Sequence, residues 1–171
     1  MSDDTFPQWL PTADTRANLR RVAPGLYVGS ALAVCERPAR NRDWWAVIDC
    51  HGPRGVASVH RELRFGQLDR VIRYAFEDGF PVPEALLVAA EVLYRRAVGS
   101  VLVSCAAGVS RSASVAYALL RVVRELPHDE AFERVVCSGG RPRPETLASA
   151  ERWAAHRLAE FAALRGPMVS L

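Results

Sequence analysis

Cys105 and Arg111, with five residues between them, are the pair in this chain whose types and spacing suit chemistry, within Val-Leu-Val-Ser-Cys-Ala-Ala-Gly-Val-Ser-Arg-Ser at 101–112. The short apolar run before the cysteine, bounded by Gly and Ser, reads as a buried strand, and Arg111 to Arg124 reads as a helix. A loop curling from a strand into a helix N-terminus aims its backbone N–H groups at one spot, where the helix dipole also favours negative charge. Arg111 adds a planar, two-pronged grip suited to phosphate oxygens. Thiols beside an arginine at a helix N-terminus ionise more readily than the free side chain, whose pKa is about 8.5. Cys105 is therefore expected to be a thiolate nucleophile facing a bound anion.

The segment resembles the signature of the cysteine-dependent protein phosphatases, a cysteine, five residues and an arginine followed by Ser or Thr. Cys105, Arg111 and Ser112 stand at those positions, and the version here is most similar to the dual-specificity subgroup. The likeness runs over roughly residues 18–164, from a stretch like that subgroup's opening hairpin to a closing order of helix, Arg-Pro segment and helix. It implies an α/β fold with a central, mostly parallel sheet of four to five strands and helices on both faces. It also implies hydrolysis through a cysteinyl-phosphate. In that scheme Cys105 attacks phosphorus, while Ala106, Ala107, Gly108, Val109, Ser110 and Arg111 hold the phosphate. An aspartate in a loop after an upstream strand protonates the leaving oxygen; Asp78 fits, with Glu77 as the second choice. Ser112 would hydrogen-bond the departing thiolate. One position departs from the pattern: the family usually has His before the cysteine, and this chain has Ser104, which bears on rate more than on reaction.

Phosphoinositide phosphatases resembling this family have a cysteine ending an earlier strand that forms a disulfide with the nucleophile. Cys50 stands at that position, and Phe76-Glu77-Asp78 is similar to their acid loop. A second thiol beside a thiolate would protect it from irreversible oxidation; the other reading of Cys50 is a plain core residue. Those enzymes carry lysines inside the signature loop, whereas Ala106, Ala107, Val109 and Ser110 are neutral. That favours phosphotyrosine and phosphoserine or phosphothreonine in proteins, in a shallow site. A lipid, nucleotide or sugar phosphate is the enzymatic alternative, and a phosphate-binding protein without turnover is the non-enzymatic one. Sulfur transfer of the rhodanese kind fits the order of Cys105, Gly108, Arg111 and Ser112 less well.

The elements that must position these residues are legible in outline. The 171 residues suit one domain, with 1–17 as a loose leader containing Phe6, Trp9 and Leu10 and with 18–164 as the core. Two short strands flank the Pro24-Gly25 turn, and Ser30 is placed to cap a short helix from Ala31 to Glu36. Trp44 to Cys50 reads as a central strand whose end lies near the site, and 51–70 as a basic loop with His51, Arg54, His60, Arg61, Arg64 and Arg70. Val71 to Phe76 reads as the next strand. Leu86, Ala89, Ala90, Leu93 and Ala97 form one helical face. The helix after the cysteine loop is apolar nearly all round and hence buried. A further helix starts at Pro127-His128-Asp129 and stops at Gly139-Gly140, and a last one turns Leu147, Ala150, Ala154, Leu158 and Phe161 inward.

Composition excludes several classes. Half the residues are hydrophobic and the net charge is +3, as in an ordinary globule. All basic residues are arginine, which with abundant Ala and Val suggests GC-rich bacterial coding. Scattered arginines without an aromatic-interleaved patch argue against nucleic acid. No apolar run reaches membrane-spanning length, and Asp3, Asp4 and Asp14 interrupt any signal peptide, so a cytoplasmic monomer is expected. The four cysteines, at 35, 50, 105 and 137, lack metal-ligand spacing and disulfide-scaffold density. No metal and no cofactor is expected.

Overall fold

Pro24 and Gly25 reverse the chain between β1 (Arg20–Ala23) and β2 (Leu26–Ser30), with Gly25 at φ +74°, a conformation other residues rarely adopt. The computed structural model describes residues 18–31, 33, 44–51 and 70–165. The strands β3 (Ala46–Asp49), β4 (Val71–Arg73) and β5 (Val101–Cys105) complete a sheet of order β1-β2-β5-β3-β4. β1 runs antiparallel to β2, and every other pairing is parallel. The cysteine strand thus lies at the centre, and the sheet is mixed but mostly parallel.

A central parallel strand is buried on both faces, and β5 is apolar without alternation for that reason. Val101, Val103 and Cys105 share a face with Ala46 and Ile48, while Leu102 and Val47 point the other way; all are buried. Helices α1 (Glu84–Arg95), α2 (Arg111–Val123), α3 (His128–Cys137) and α4 (Pro144–Arg165) follow. α2 packs on β2 and β5 and is enclosed by α1, α3 and α4. Every side chain from Arg111 to Leu120 is buried, as its lack of a polar stripe required. Burying Leu119 and Leu120 alone contributes about 1.5–3 kcal/mol each.

Several local expectations shift. β4 stops at Arg73 rather than Phe76, although the Tyr74 N–H still donates to Asp49 O at 3.0 Å; from there the chain leaves the sheet as a loop. On α1, Leu86 and Ala90 are buried as expected, Leu93 and the following Ala97 pack partly buried against the core, and Leu87, Glu91 and Tyr94 join the buried face. Glu91 turns inward because it is paired there, accepting from Arg95 Nε at 2.8 Å and Arg157 Nε at 3.0 Å, and a buried carboxylate requires such partners. Ala97 lies beyond the helix end. In α4, Ala150 and Ala154 are buried as expected, Trp153 joins them, and Leu147, Leu158 and Phe161 are only partly covered.

Helices α1, α2 and α3 pack on the sheet face that carries Val101, Val103 and Cys105, and α4 packs on α2 and α1; on the opposite face the helical turn at Ala31 and Ala33 sets Ala33 against Val47 and Leu102. The expected helix from Ala31 to Glu36 shows a helical turn at Ala31 and Ala33, and its remainder lies outside the described residues. So do the leader 1–17 and residues 52–69 of the basic loop.

Candidate active site

The C-terminal ends of β2, β5 and β3 converge, as the ligand edge of an open α/β sheet does. Ser30 pairs with Cys105, and Asp49 with Ser104. The chain leaves β5 at Cys105, loops through 106–110 and enters α2 at Arg111. Cys105 is 2% exposed, and its Sγ lies 3.3 Å from Ser112 Oγ in the first turn of α2.

The loop is held from behind through its carbonyls. Ala107 O accepts from Asn18 Nδ2 at 2.7 Å, Gly108 O from Arg20 Nη2, and Val109 O from the Arg141 N–H at 2.8 Å. In a trans peptide the carbonyl and the following N–H point in opposite directions. Anchoring those carbonyls outward therefore turns the N–H groups of Gly108, Val109 and Ser110 the other way. Ser110 does not cap α2 with its side chain; its Oγ accepts from the Arg143 N–H at 3.0 Å, so the first-turn N–H groups keep their capacity for an anion.

Arg20 is a functional side chain that sequence reasoning missed. It is 6% exposed and also donates to Gly139 O at 2.6 Å. Burial lowers its pKa from the ordinary arginine value, and the negative charge of Cys105 opposes that shift, placing the guanidinium within the field of the sulfur. Two adjacent arginines look like a solvated pair. The period of a strand nevertheless puts Arg20 on the face of buried Val22 and Arg21 on the exposed one.

A pocket of about 320 Å³ opens above Cys105, lined by Asp78, Cys105, Ala106, Ala107, Val109, Ser110, Arg111, Arg141 and Arg143. Most residues expected from the sequence meet there. Gly108 lies behind the wall and Ser112 beneath the sulfur, and Glu77 is not among the lining residues. Arg111 donates through Nη1 to the carbonyls of Cys50 (3.0 Å) and Phe76 (2.7 Å), which fixes its guanidinium and ties the loop bearing Asp78 to the end of β3. Asp78 Oδ2 accepts from Arg143 Nε at 2.8 Å. Arg141 and Arg143 change the character of the lining: the loop is neutral, but its mouth is basic. The Arg-Pro-Arg-Pro run was visible, yet nothing local said that it folds back over the cysteine loop.

Beside Cys105, Asp49 is 1% exposed and holds together the end of β3. It accepts from His51 Nδ1 at 2.6 Å, Arg73 Nε at 3.1 Å and Ser104 Oγ at 3.5 Å. Ser104, standing where the family's histidine was expected, is thus occupied with Asp49. Cys50 is buried with a free thiol, next to Cys105 by register, its N–H donating to Ser104 O at 2.8 Å. Burial pushes the Cys50 thiol well above its ordinary pKa; the negative charges of Cys105 and Asp49 add to this, and Arg111 opposes it.

Among the described residues no group of three or more His, Cys, Asp and Glu could hold a metal ion, and no helix is long and apolar enough to cross a membrane. No family model matches the chain, and no curated protein does. Solved structures do. A single-residue variant of human DUSP28 is 30% identical, with 83% of this chain and 97% of that chain covered and a TM-score of 0.58. PTPMT1 in complex with PI(5)P is 21% identical (84% and 98% covered, TM-score 0.62), and Cydia pomonella PTP-2 phosphatase is 20% identical (80% and 89%, TM-score 0.64). The last two share the fold. Such neighbours support a cysteine-based phosphatase. The identity to human DUSP28, over nearly all of that chain, joins the strand, loop and helix around Cys105 in one conclusion: this chain belongs to the cysteine-dependent protein tyrosine phosphatase superfamily and is dual-specificity phosphatase-like.

Proposed function

We propose that the chain hydrolyses phosphotyrosine and phosphoserine or phosphothreonine in proteins through a cysteinyl-phosphate. The observation that carries this reading is one pocket lined by Cys105, by Ala106, Ala107, Val109, Ser110 and Arg111 of its loop, and by Asp78. The phosphate sits on the loop N–H groups and Arg111, whose guanidinium is fixed before substrate arrives, so charge is stabilised without reorganisation. Cys105 Sγ attacks phosphorus in line, the ester P–O bond breaks, and Asp78 gives its proton to the departing oxygen. Asp78 then takes a proton from the water that hydrolyses the thiophosphate, and Ser112 Oγ, 3.3 Å from Sγ, receives the released thiolate. The reading includes a single domain over 1–171, acting as a cytoplasmic monomer without metal or cofactor.

The test is turnover of aryl phosphates with a chelator present. Wild-type protein is expected to hydrolyse them, and no turnover would sink the reading. Asp78→Asn should lower kcat about 10²–10⁴-fold for phenyl phosphate, and much less for 4-nitrophenyl phosphate, whose leaving group needs no proton. An equal loss on both esters would remove Asp78 from the acid role.

A phosphoinositide substrate is the second reading. The PTPMT1 structure holds PI(5)P, and Arg141 and Arg143 give this pocket a basic mouth. Turnover of short-chain phosphatidylinositol phosphates against phosphopeptides separates the two.

Cys50 is read as a resolving thiol. Peroxide converts the Cys105 thiolate to a sulfenic acid, and the Cys50 thiolate then displaces its hydroxide to form the disulfide. Because the Cys50 pKa is raised, its thiolate is scarce at neutral pH and grows about tenfold per pH unit below that pKa. Disulfide closure after mild peroxide should therefore accelerate from pH 7 to 9. Peptide mapping that finds only over-oxidised Cys105 at both pH values would exclude the switch.

A further inference from the structure

Arg20 is a buried cation without a carboxylate. Among the described residues it forms no ion pair, and its buried Nε has no hydrogen-bond partner. Burying a charge in this way is costly unless another charge answers it. Its hydrogen bonds go to neutral carbonyls: Nη2 donates to Gly108 O and Nη1 to Gly139 O at 2.6 Å. The turn after α3 is closed upon it, since a Cβ at Gly139 would stand 2.8 Å from Nη1. The guanidinium is thus fixed behind the cysteine loop, where the charge acting on it is that of Cys105. Arg111, by contrast, faces the pocket and has the phosphate to hold as well. The residue before the cysteine supplies no cation either, because Ser104 stands there and donates to Asp49.

We propose that Arg20 is a positioning residue for the nucleophile: from behind the loop it supplies the fixed counter-charge of the Cys105 thiolate and, through the Gly108 carbonyl, aims the Val109 N–H at the phosphate. This rests on the proposed phosphatase reading and names the group that keeps its sulfur anionic when a phosphate dianion enters. The carbonyl and the next N–H of a trans peptide point in opposite directions, so a cation on Gly108 O both orients the Val109 N–H and polarises it as a donor. Buried and without a competing carboxylate, the charge is little screened by salt. Removing it leaves the thiolate less favoured, so the thiol ionises at higher pH. The other groups facing Cys105 are Arg111 on α2, Asp49 and Cys50 at the end of β3, and Asp78, Arg141 and Arg143 around the pocket, all of which the test leaves in place.

The experiment follows alkylation of Cys105 by iodoacetamide, an uncharged probe of the thiolate, against pH, with the Cys105 peptide quantified by mass spectrometry. Arg20→Gln should displace the profile upward by about one pH unit or more, so that alkylation on the rising limb falls about tenfold, and kcat/KM for 4-nitrophenyl phosphate should move with it. Arg20→Lys keeps the charge but not the fork that spans two carbonyls, and should return the profile to within about 0.3 pH unit of wild type while Tm stays lowered. Arg21→Gln removes the same charge from the exposed face one residue away and should leave the profile unmoved. Asn18→Ala frees Ala107 O without removing a charge and should also leave it in place. Should Arg20→Gln melt below the assay temperature, its profile is taken in sucrose, which favours the folded state. An Arg20→Gln profile that coincides with wild type, an equal displacement in Arg21→Gln or Asn18→Ala, or an Arg20→Lys profile displaced as far as that of Arg20→Gln overturns the proposal. Alkylation needs no substrate, so a displaced profile without turnover of any phosphate ester would overturn the phosphatase reading and leave Arg20 as the counter-charge of Cys105.

Discussion

Cys105→Ser is expected to lower kcat on an aryl phosphate by about 10⁴-fold or more, with little effect on folding. The exchange is nearly isosteric, and the site is 2% exposed with Ser112 Oγ at 3.3 Å, which would accept or donate to a serine hydroxyl equally well. Nothing in the anion-binding wall is altered: the carbonyls of Ala107, Gly108 and Val109 keep Asn18, Arg20 and Arg141 as partners, and Arg111 keeps the carbonyls of Cys50 and Phe76. What disappears is the nucleophile, because an alcohol lacks the accessible anion of a thiol and no base is paired with it here. The loss corresponds to a barrier raised by about 5.5 kcal/mol. Steady-state assays check the rate, and titration with inorganic phosphate checks that the loop still binds. Turnover within tenfold of wild type would place the nucleophile elsewhere.

That contrast between an unaltered wall and a missing nucleophile reflects what local sequence reveals. Cys105, Arg111 and Ser112 were legible because one loop brings them together within a single strand-to-helix turn. α2 was legible because it has no polar stripe to expose. What could not be read depends on separations of dozens of residues. Asn18 reaches Ala107 across 89 positions and Arg20 reaches Gly108 across 88, so their roles exist only once β1 is seated at the sheet edge. Glu91 can point inward because Arg157, 66 residues later, meets it there, which widened the buried face of α1 beyond its apolar residues. The neutral lining inferred from 106–110 was a statement about one segment. The arginines that change the charge of the mouth arrive from the Arg-Pro run after α3, and Arg143 finds Asp78 across 65 residues. Chemistry carried by adjacent residues was readable, whereas chemistry adjusted by distant ones waited for the fold.

Gly108→Ala tests the wall itself and is expected to remove both stability and activity. Gly108 has φ +68°, and an added Cβ would stand 2.4 Å from Gly29 C, 2.5 Å from Ser30 N and 2.8 Å from Gly29 O. Those atoms are backbone of β2, hydrogen-bonded along β5, and cannot yield as a flexible side chain would. The left-handed conformation costs an alanine about 1–2 kcal/mol, and overpacking against fixed atoms typically about 1–3 kcal/mol more. At about 2–4 °C per kcal/mol for a chain of this size, Tm should fall by roughly 4–20 °C. If the loop relieves the clash by moving off β2, the N–H groups of Gly108, Val109 and Ser110 lose their common direction, and turnover should drop by about 100-fold or more in the protein that remains folded. Gly25→Ala supplies the comparison. Gly25 has a similar φ of +74°, but its added Cβ would meet only Gly99 O, at an ordinary 3.8 Å. That variant pays the conformational cost alone, far from the pocket, and should lose about 1–2 kcal/mol with kcat preserved. Thermal denaturation and aryl phosphate assays on both variants decide the matter. A Gly108→Ala protein as stable and active as Gly25→Ala would mean that the loop does not lie against β2.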